Sequence, residues 1–360
     1  MEVDVLIVGA GPAGSTTARF CAGKDIDVLM IDRRDEIGYP VQCGEFLPVA
    51  KEMHDIFPRS MNLEELFTVE GSVVAGEVTA VDMISPSGRV YRCPFEGLTL
   101  DRRSFDKSLV KLAVERGARL ETRTSLLSIK DGIAKTTMGD VKAKVIVGAD
   151  GPRSRTAREA GMQGVSECYP AVTCQADGSF ESVVKMYFGS VAPGGYAWII
   201  PKRKGANVGI GFNSRSLRQR PSEIFQKFVD SLGIEYRDMT MGLVPTSGPV
   251  LHTVSGNVLL VGDAAGMVMA TNGGGIPTAM IAGRFAGQTI REHLAGGSSL
   301  GRYEQLWRNA MFKPLKIALR TKWMSDIVFR NDRAVALTLR LLGRKGLDRT
   351  IRCKRVFYVI

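Results

Sequence analysis

The 360-residue chain has no run of 18 apolar residues, so no membrane-spanning helix is expected, nor is a secretory leader ahead of a first strand that begins at residue 3. Its six cysteines follow neither a disulfide framework nor a zinc spacing, so a reducing compartment is expected and no metal site. There is no internal repeat and no low-complexity linker. Only one Gly-x-Gly-x-x-Gly is present, so a second, resident nicotinamide domain of the disulfide-reductase type is not expected. Regularly spaced aromatics of the single-strand-binding kind are also missing, which argues against a nucleic-acid partner.

What is present reads as a globular protein, with 44% hydrophobic and 24% charged residues, long enough for two domains. The net charge of +11 is unevenly placed. From Lys313 to Ile360, thirteen Lys and Arg stand against Asp326, Asp332 and Asp348, an excess of ten. Lys313, Lys316, Arg320 and Lys322 alternate with Leu315, Ile317, Leu319 and Trp323. Further on, Val335, Leu337, Leu339, Leu341 and Leu342 sit beside Arg333, Arg340 and Arg344. Such interleaving fits an amphipathic helix lying on an anionic membrane surface. It fits equally a helical pair packed on the body with a solvated basic face.

The most informative stretch runs from Val3 to Gly14 and closes at Asp32. A short, β-branched apolar run breaks into Gly9, Gly11 and Gly14, a helix pattern begins at Pro12 and Ala13, and a second apolar run ends in the acid. Gly9 makes the tight turn, Gly11 lets backbone approach a pyrophosphate, and Gly14 lets helix and strand pack closely. The pyrophosphate would sit on the helix N-terminus, and Asp32 would accept the ribose hydroxyls. Arg33 follows at the edge where cofactors bind in such sheets.

Beyond it, residues 33–45 read as a loop carrying Cys43, Gly44 and Glu45. Residues 73–95 read as two strands around a Pro-Ser-Gly turn, starting a second, antiparallel domain. A helix opens near Asp101 or Ser104 and ends at Gly117, residues 119–122 re-enter the parallel sheet, and Asp131-Gly132 turns a hairpin. Val145 to Gly151, with Asp150, is again a strand running into a turn. From 165 to 250 short strands surround one helix, and two adjacent ones carry Tyr196, Trp198, Pro201, Gly209 and Gly211. Their aromatics suit the wall of an apolar chamber, or plain sheet core. Val258 to Gly266, with Gly262 and Asp263, repeats the strand-then-acid design. Gly273, Gly274, Gly275 and Ile276 open a helix to about Leu294.

The fold expected is α/β: a discontinuous Rossmann-type dinucleotide domain (1–70, 98–165 and 250–300), an inserted antiparallel-sheet domain (71–97 and 166–249), and a basic helical C-terminal segment (301–360).

Four spaced motifs, the first glycine turn with Asp32, Asp101-Arg102, Gly148 to Gly151, and Gly262 to Ala265 before three glycines, together resemble the FAD-containing p-hydroxybenzoate hydroxylase class over residues 1–300. Within that class, Tyr39 to Glu45 and Tyr196 to Gly211 are similar to the geranylgeranyl reductases, above all the archaeal members that saturate ether-lipid chains. Ile200 stands where that family often has Phe.

The resemblance implies FAD held by Gly9, Gly11, Pro12, Ala13, Gly14, Asp32 and Arg33. It places Cys43, Gly44 and Arg102 beside the cofactor, and Gly262 and Asp263 at its ribityl and pyrophosphate portion. Gly273 to Gly275 and Ile276 would meet the flavin ring, while Asp150 supports the cofactor domain or is purely structural. It also implies reduction of geranylgeranyl C=C bonds by hydride from flavin N5 plus a proton, with Tyr196, Trp198, Pro201, Gly209 and Gly211 lining the substrate. An isolated alkene cannot delocalise charge onto a carbonyl, so protonation must accompany hydride transfer, in a dry channel with an acid nearby. Cys43 and Glu45 are the candidates for that acid, though Cys43 could equally be a packing or redox-sensing thiol.

The partners implied are a polyprenyl lipid and an external electron donor: NAD(P)H, a ferredoxin or a reduced deazaflavin. The location expected is cytoplasmic, peripheral on the inner face of the membrane. Two rival readings are an FAD-dependent aromatic monooxygenase of the same fold and a non-catalytic flavin-bearing lipid binder.

Overall fold

In the computed structural model, which describes residues 1–329 and 331–356, the first apolar run forms the strand Glu2–Val8. Val5, Leu6 and Ile7 have no exposure at all, as a strand covered on both faces requires. It pairs in parallel with Val28–Ile31 on one side and Gly139–Gly148 on the other. The sheet then reads, edge to edge, Val254–Ser255, Val258–Leu260, Gly139–Gly148, Glu2–Val8, Val28–Ile31 and Arg119–Glu121. The expected re-entry at Arg119 is parallel to Val28–Ile31, and the expected hairpin is Leu126–Lys130 against Ile133–Thr136.

The helix Pro12–Cys21 leaves the glycine turn and is crossed by the helix Ile276–Leu294. Two glycines set their separation. A methyl on Gly283 would lie 2.7 Å from the Ala13 carbonyl oxygen, and one on Gly287 2.5 Å from that of Thr17. Backbone therefore rests on backbone, and two helix N-termini begin side by side, each with proline in its first turn. The helix Arg102–Glu115 is capped by Asp101, whose carboxylate accepts from the Ser104 N–H at 2.9 Å.

The second sheet runs Tyr236–Pro245, Cys168–Ala176, Ala206–Gly211, Tyr196–Pro201, Val183–Phe188, Val74–Ile84, Val90–Leu100 and Phe46–Pro48. It departs from the expectation in two places. Val183–Phe188 lies parallel to Val74–Ile84, so the sheet is mixed rather than wholly antiparallel. These two strands come from chain pieces separated by part of the first domain, and no hairpin dictates their relative direction. The short strand Phe46–Pro48 also belongs here, not to the first domain; at three residues it is too short to show a period. Gly97 makes room for it, since a methyl there would meet the Phe46 ring at 2.2 Å.

From residue 301 onward the chain is helical: Gly301–Trp307, a wider turn Arg308–Phe312, Lys313–Val328 and Asp332–Ile351, the last broken at Gly343 where φ is +55°. Tyr303 donates to the Leu260 carbonyl at 3.0 Å and Trp307 to the Thr253 hydroxyl at 2.9 Å, anchoring the segment on the parallel sheet. It then crosses to the mixed sheet. There the buried Lys322 pairs with Glu167 and Asp326, and Asp332 takes the Ser190 hydroxyl at 2.7 Å. One face of these helices is thus packed on the body. No helix among the described residues is long and apolar enough to cross a membrane.

Candidate active site

The glycine turn is set by contact. A methyl on Gly9, whose φ is +103°, would fall 2.3 Å from the Ala149 carbonyl oxygen, and one on Gly14 only 1.8 Å from that of Gly9. Gly11 differs: nothing lies within 4 Å of the space a methyl would take, so its open side is free for a ligand. Pro12 and Ala13 begin the helix behind it. Asp32 is buried, and its two oxygens accept from the backbone N–H groups of Ala10 and Arg34, both at 2.9 Å. It therefore ties the glycine turn to the next strand, while Arg33 beside it is exposed. Asp150 takes the Ser154 hydroxyl at 2.6 Å and the Thr156 N–H at 2.9 Å, which makes it the organiser of the short helix Arg155–Glu159.

The turn Gly262–Ala265 packs between the two helix N-termini. A methyl on Gly262 would touch the Ala13 Cβ at 2.8 Å and the Ala279 Cβ at 3.3 Å. Beside it, an Asp263 carboxylate oxygen is 3.1 Å from the space over Gly275. Burial pushes the Asp263 carboxyl up to about 6, against the opposing pull of the Arg102 guanidinium. The carboxylate is half-buried, so part of it stays open to whatever occupies the space beside it. Gly273, at φ +67°, and Gly274 lead into Ile276 at the helix start.

Arg102 links this cradle to the 39–45 loop. Its guanidinium makes a two-pronged pair with Asp106 at 2.9 and 3.1 Å and also faces the Cys43 sulfur. Burial works against its charge, but Asp106 and then Cys43 outweigh that and drive its pKa up. The Cys43 sulfur also accepts the Glu45 N–H at 3.1 Å.

Glu45 is 2% exposed and sits at φ +62°. One oxygen accepts from the Arg102 backbone N–H at 3.2 Å. The other faces Gln175 Nε2 at 2.8 Å, Asn207 Nδ2 at 2.9 Å and Lys202 Nζ at 2.6 Å. The two acid candidates are thus separated by their surroundings. Glu45 meets only donors and is arranged as an anchor, whereas Cys43 is half-buried beside a cation.

Asn207 also accepts from the Trp198 indole N–H at 2.8 Å and donates to the Cys43 carbonyl at 2.9 Å. The Trp198 ring lies on Gly209, where a methyl would meet it at 2.2 Å, while Gly211 leaves it 3.9 Å of clearance. Gly44 faces Ile200 and Trp198, and Pro201 closes the strand, buried. Tyr196 donates to the Asn272 carbonyl at 2.6 Å, so the aromatic wall touches the turn that leads into Gly273. Burial, and the Cys43 sulfur after it, drive the Tyr196 phenol pKa up, keeping it neutral. Gln175, Lys202, Asn207 and Asn272 are not among the candidates the sequence offered. The available signal was Asn207, a polar residue inside an otherwise apolar buried strand.

Residues 7–64 match the family model described as an NAD(P)-binding Rossmann-like domain, and residues 165–244 that of the geranylgeranyl reductase catalytic domain. The chain is 34% identical over 352 residues to a digeranylgeranylglycerophospholipid reductase of Methanosarcina acetivorans, covering 89% of this chain and 84% of the relative. It is 32% identical over 398 residues to digeranylgeranylglycerophospholipid reductase 2 of Methanopyrus kandleri, covering 100% and 95%. Among solved structures, a geranylgeranyl bacteriochlorophyll reductase-like protein from Thermoplasma acidophilum superposes with a TM-score of 0.85 at 28% identity, over 95% of this chain and 91% of that one.

Proposed function

The chain belongs to the digeranylgeranylglycerophospholipid reductase family, and from there we propose that it is an FAD-dependent reductase saturating the C=C bonds of geranylgeranyl chains on isoprenoid ether lipids. The observation that carries this reading is the Tyr196–Asn272 contact of 2.6 Å, where the aromatic strand wall meets the end of the nucleotide cradle. A cofactor gripped at Gly11 and Asp263 would present its far end to an apolar face.

The residues fit FAD. Gly11 offers open space at a helix N-terminus for a pyrophosphate, and the half-buried Asp263 carboxylate, 3.1 Å from the space over Gly275, suits the hydroxyls of a ribityl chain. A second helix N-terminus, after Gly275, would hold negative charge on the ring. Asp32 fixes the turn whose open side the ribose would share. When bound and reduced, FAD supplies the hydride.

The protein's own part is the proton and the dry surroundings. Cys43 is the proton source in this reading. After giving up its proton, the sulfur would face the Arg102 guanidinium and the Glu45 N–H, both suited to negative charge. Glu45, with Lys202, Gln175 and Asn207, holds the loop that carries Cys43. Trp198 and Tyr196 would border the prenyl chain and exclude water. The lipid is taken from the cytoplasmic face of an anionic membrane on which the protein sits peripherally, and electrons come from an external donor.

The test is anaerobic: reduce the purified yellow protein with dithionite, add digeranylgeranylglycerophospholipid, and follow flavin absorbance and product mass together. Two hydrogens gained per double bond, in step with reoxidation, are expected. Reoxidation without a mass change, or a colourless protein that rejects FAD, overturns the reading. Repeating the turnover with NAD(P)H, ferredoxin or deazaflavin in place of dithionite separates the donors.

A further inference from the structure

From Lys313 onward the only acids are Asp326, Asp332 and Asp348, and the structure engages each of them. Asp326 faces Lys322, Tyr169 and Asn213; Asp332 is held by Ser190 and Asp348 by Arg352. On the opposite face, Lys316, Arg320, Arg333, Arg340, Arg344 and Lys345 are all exposed. Among the described residues, the ion pairs of the segment belong instead to Lys322, Arg352 and Lys354.

Large apolar side chains stand among these six cations. Trp323 is 55% exposed, Met324 45%, Ile327 70%, Leu337 57% and Leu341 73%. Lys316, Arg320, Trp323, Met324 and Ile327 recur at three- and four-residue intervals, one face of a helix. Arg333, Leu337, Arg340, Leu341, Arg344 and Lys345 repeat the pattern on the next, up to and across the break at Gly343. The inner side of the same segment carries Phe329, whose ring lies 5.5 Å from that of Phe188. Phe188 is 6.0 Å from Tyr196, and Tyr196 is 5.9 Å from Trp198.

We propose that the outward face of the two C-terminal helices docks on an anionic lipid bilayer, with Trp323, Ile327, Leu337 and Leu341 entering the headgroup layer and the six cations lying along it. A second copy of the chain is the poorer occupant: a two-fold interface would set this all-positive face against itself. Nucleic acid would use the cations but leave Ile327, Leu337 and Leu341 exposed. A bilayer uses both. Docked this way, the protein has the row Phe329–Phe188–Tyr196–Trp198 leading from the membrane side to the candidate site. The purpose of this surface rests on the lipid-reductase reading, but its existence can be measured separately.

The experiment uses the full-length, FAD-loaded protein and vesicle sedimentation. Expected is binding to phosphatidylglycerol vesicles, weakening as salt rises, and little binding to phosphatidylcholine vesicles. Arg340→Gln/Arg344→Gln should weaken binding about fivefold for each cation removed. Ile327→Ser/Leu341→Ser should weaken it at least tenfold while flavin content and melting temperature stay unchanged. Reduction of detergent-dispersed lipid should then be retained and reduction of vesicle-embedded lipid lost. Unaltered vesicle binding in both variants overturns the docking surface, as does loss of a dimer in the Ser variant by sedimentation equilibrium. Vesicle binding that follows these rules without any reduction of dispersed lipid leaves the surface standing and removes the reductase reading.

Discussion

The Glu45 carboxylate and the Lys202 ammonium lie 2.6 Å apart, with their side chains 2% and 15% exposed, directly behind the loop that carries Cys43. Removing one partner of such a pair leaves a buried charge without its counterion. Glu45→Gln should therefore destabilise the protein by about 3–5 kcal/mol. Glu45→Gln/Lys202→Met should recover most of that loss. Urea midpoints with unchanged slopes check both. If the double variant, once stable, also regains turnover, Glu45 acts by holding the loop and not as an acid.

Cys43 gives the opposite pattern. Cys43→Ala should keep FAD and stability but lower kcat by about 10²- to 10⁴-fold, the range of general acid catalysis. Anaerobic single-turnover reoxidation measures this directly. A turnover equal to that of the unaltered protein would make the thiol a packing group.

Gly11 and Gly14, three residues apart in the same turn, should fail differently. Gly14→Ala puts a methyl 1.8 Å from the Gly9 carbonyl oxygen, where only backbone could yield, so little folded protein is expected. Gly11→Ala meets nothing within 4 Å. The cofactor-free protein should then unfold within about 0.5 kcal/mol of the original, while FAD affinity falls sharply. Thermal melts and a flavin fluorescence titration separate the two.

Asp263 supplies a pH signature. Burial lifts its carboxyl from the ordinary 3.8 to about 6 in the folded protein. The folded form therefore keeps a proton that the unfolded chain has already released. The stabilisation is complete below about pH 4 and lost as pH rises through 6. In the cofactor-free protein, Asp263→Asn should gain about 1–2 kcal/mol over the original at pH 8, allowing for partial solvent access, and nothing near pH 4. Its FAD affinity should drop. Urea unfolding at the two pH values gives the difference.

The parallel core was readable because strand, glycine turn and acid lie consecutively in sequence, as at Val3 to Gly14. Asp263 and Gly273 to Gly275 were readable for the same reason. The Glu45 cluster was not, because Gln175, Lys202 and Asn207 are separated along the chain and meet only through sheet register, Gln175 standing opposite Asn207. Asp32 shows a further limit: its position was plain, but its hydrogen bonds to Ala10 and Arg34 depend on the path of the loop. The parallel pairing of Val183–Phe188 was hidden because no connecting turn encodes it. The basic C-terminal segment left two alternatives open, and the structure shows an inner face packed on the body beneath an exposed basic one.

Gly283 and Gly287 hold the helix that begins at Ile276 against the one that begins at Pro12, so the two halves of the grip lie more than 260 residues apart along the polypeptide. A chain still being synthesised has its first half exposed long before the second leaves the ribosome. If both helix N-termini hold the flavin as proposed, its capture would be a late event in the life of each molecule, and a truncated product lacking the later helix would remain colourless however well its first strands had formed.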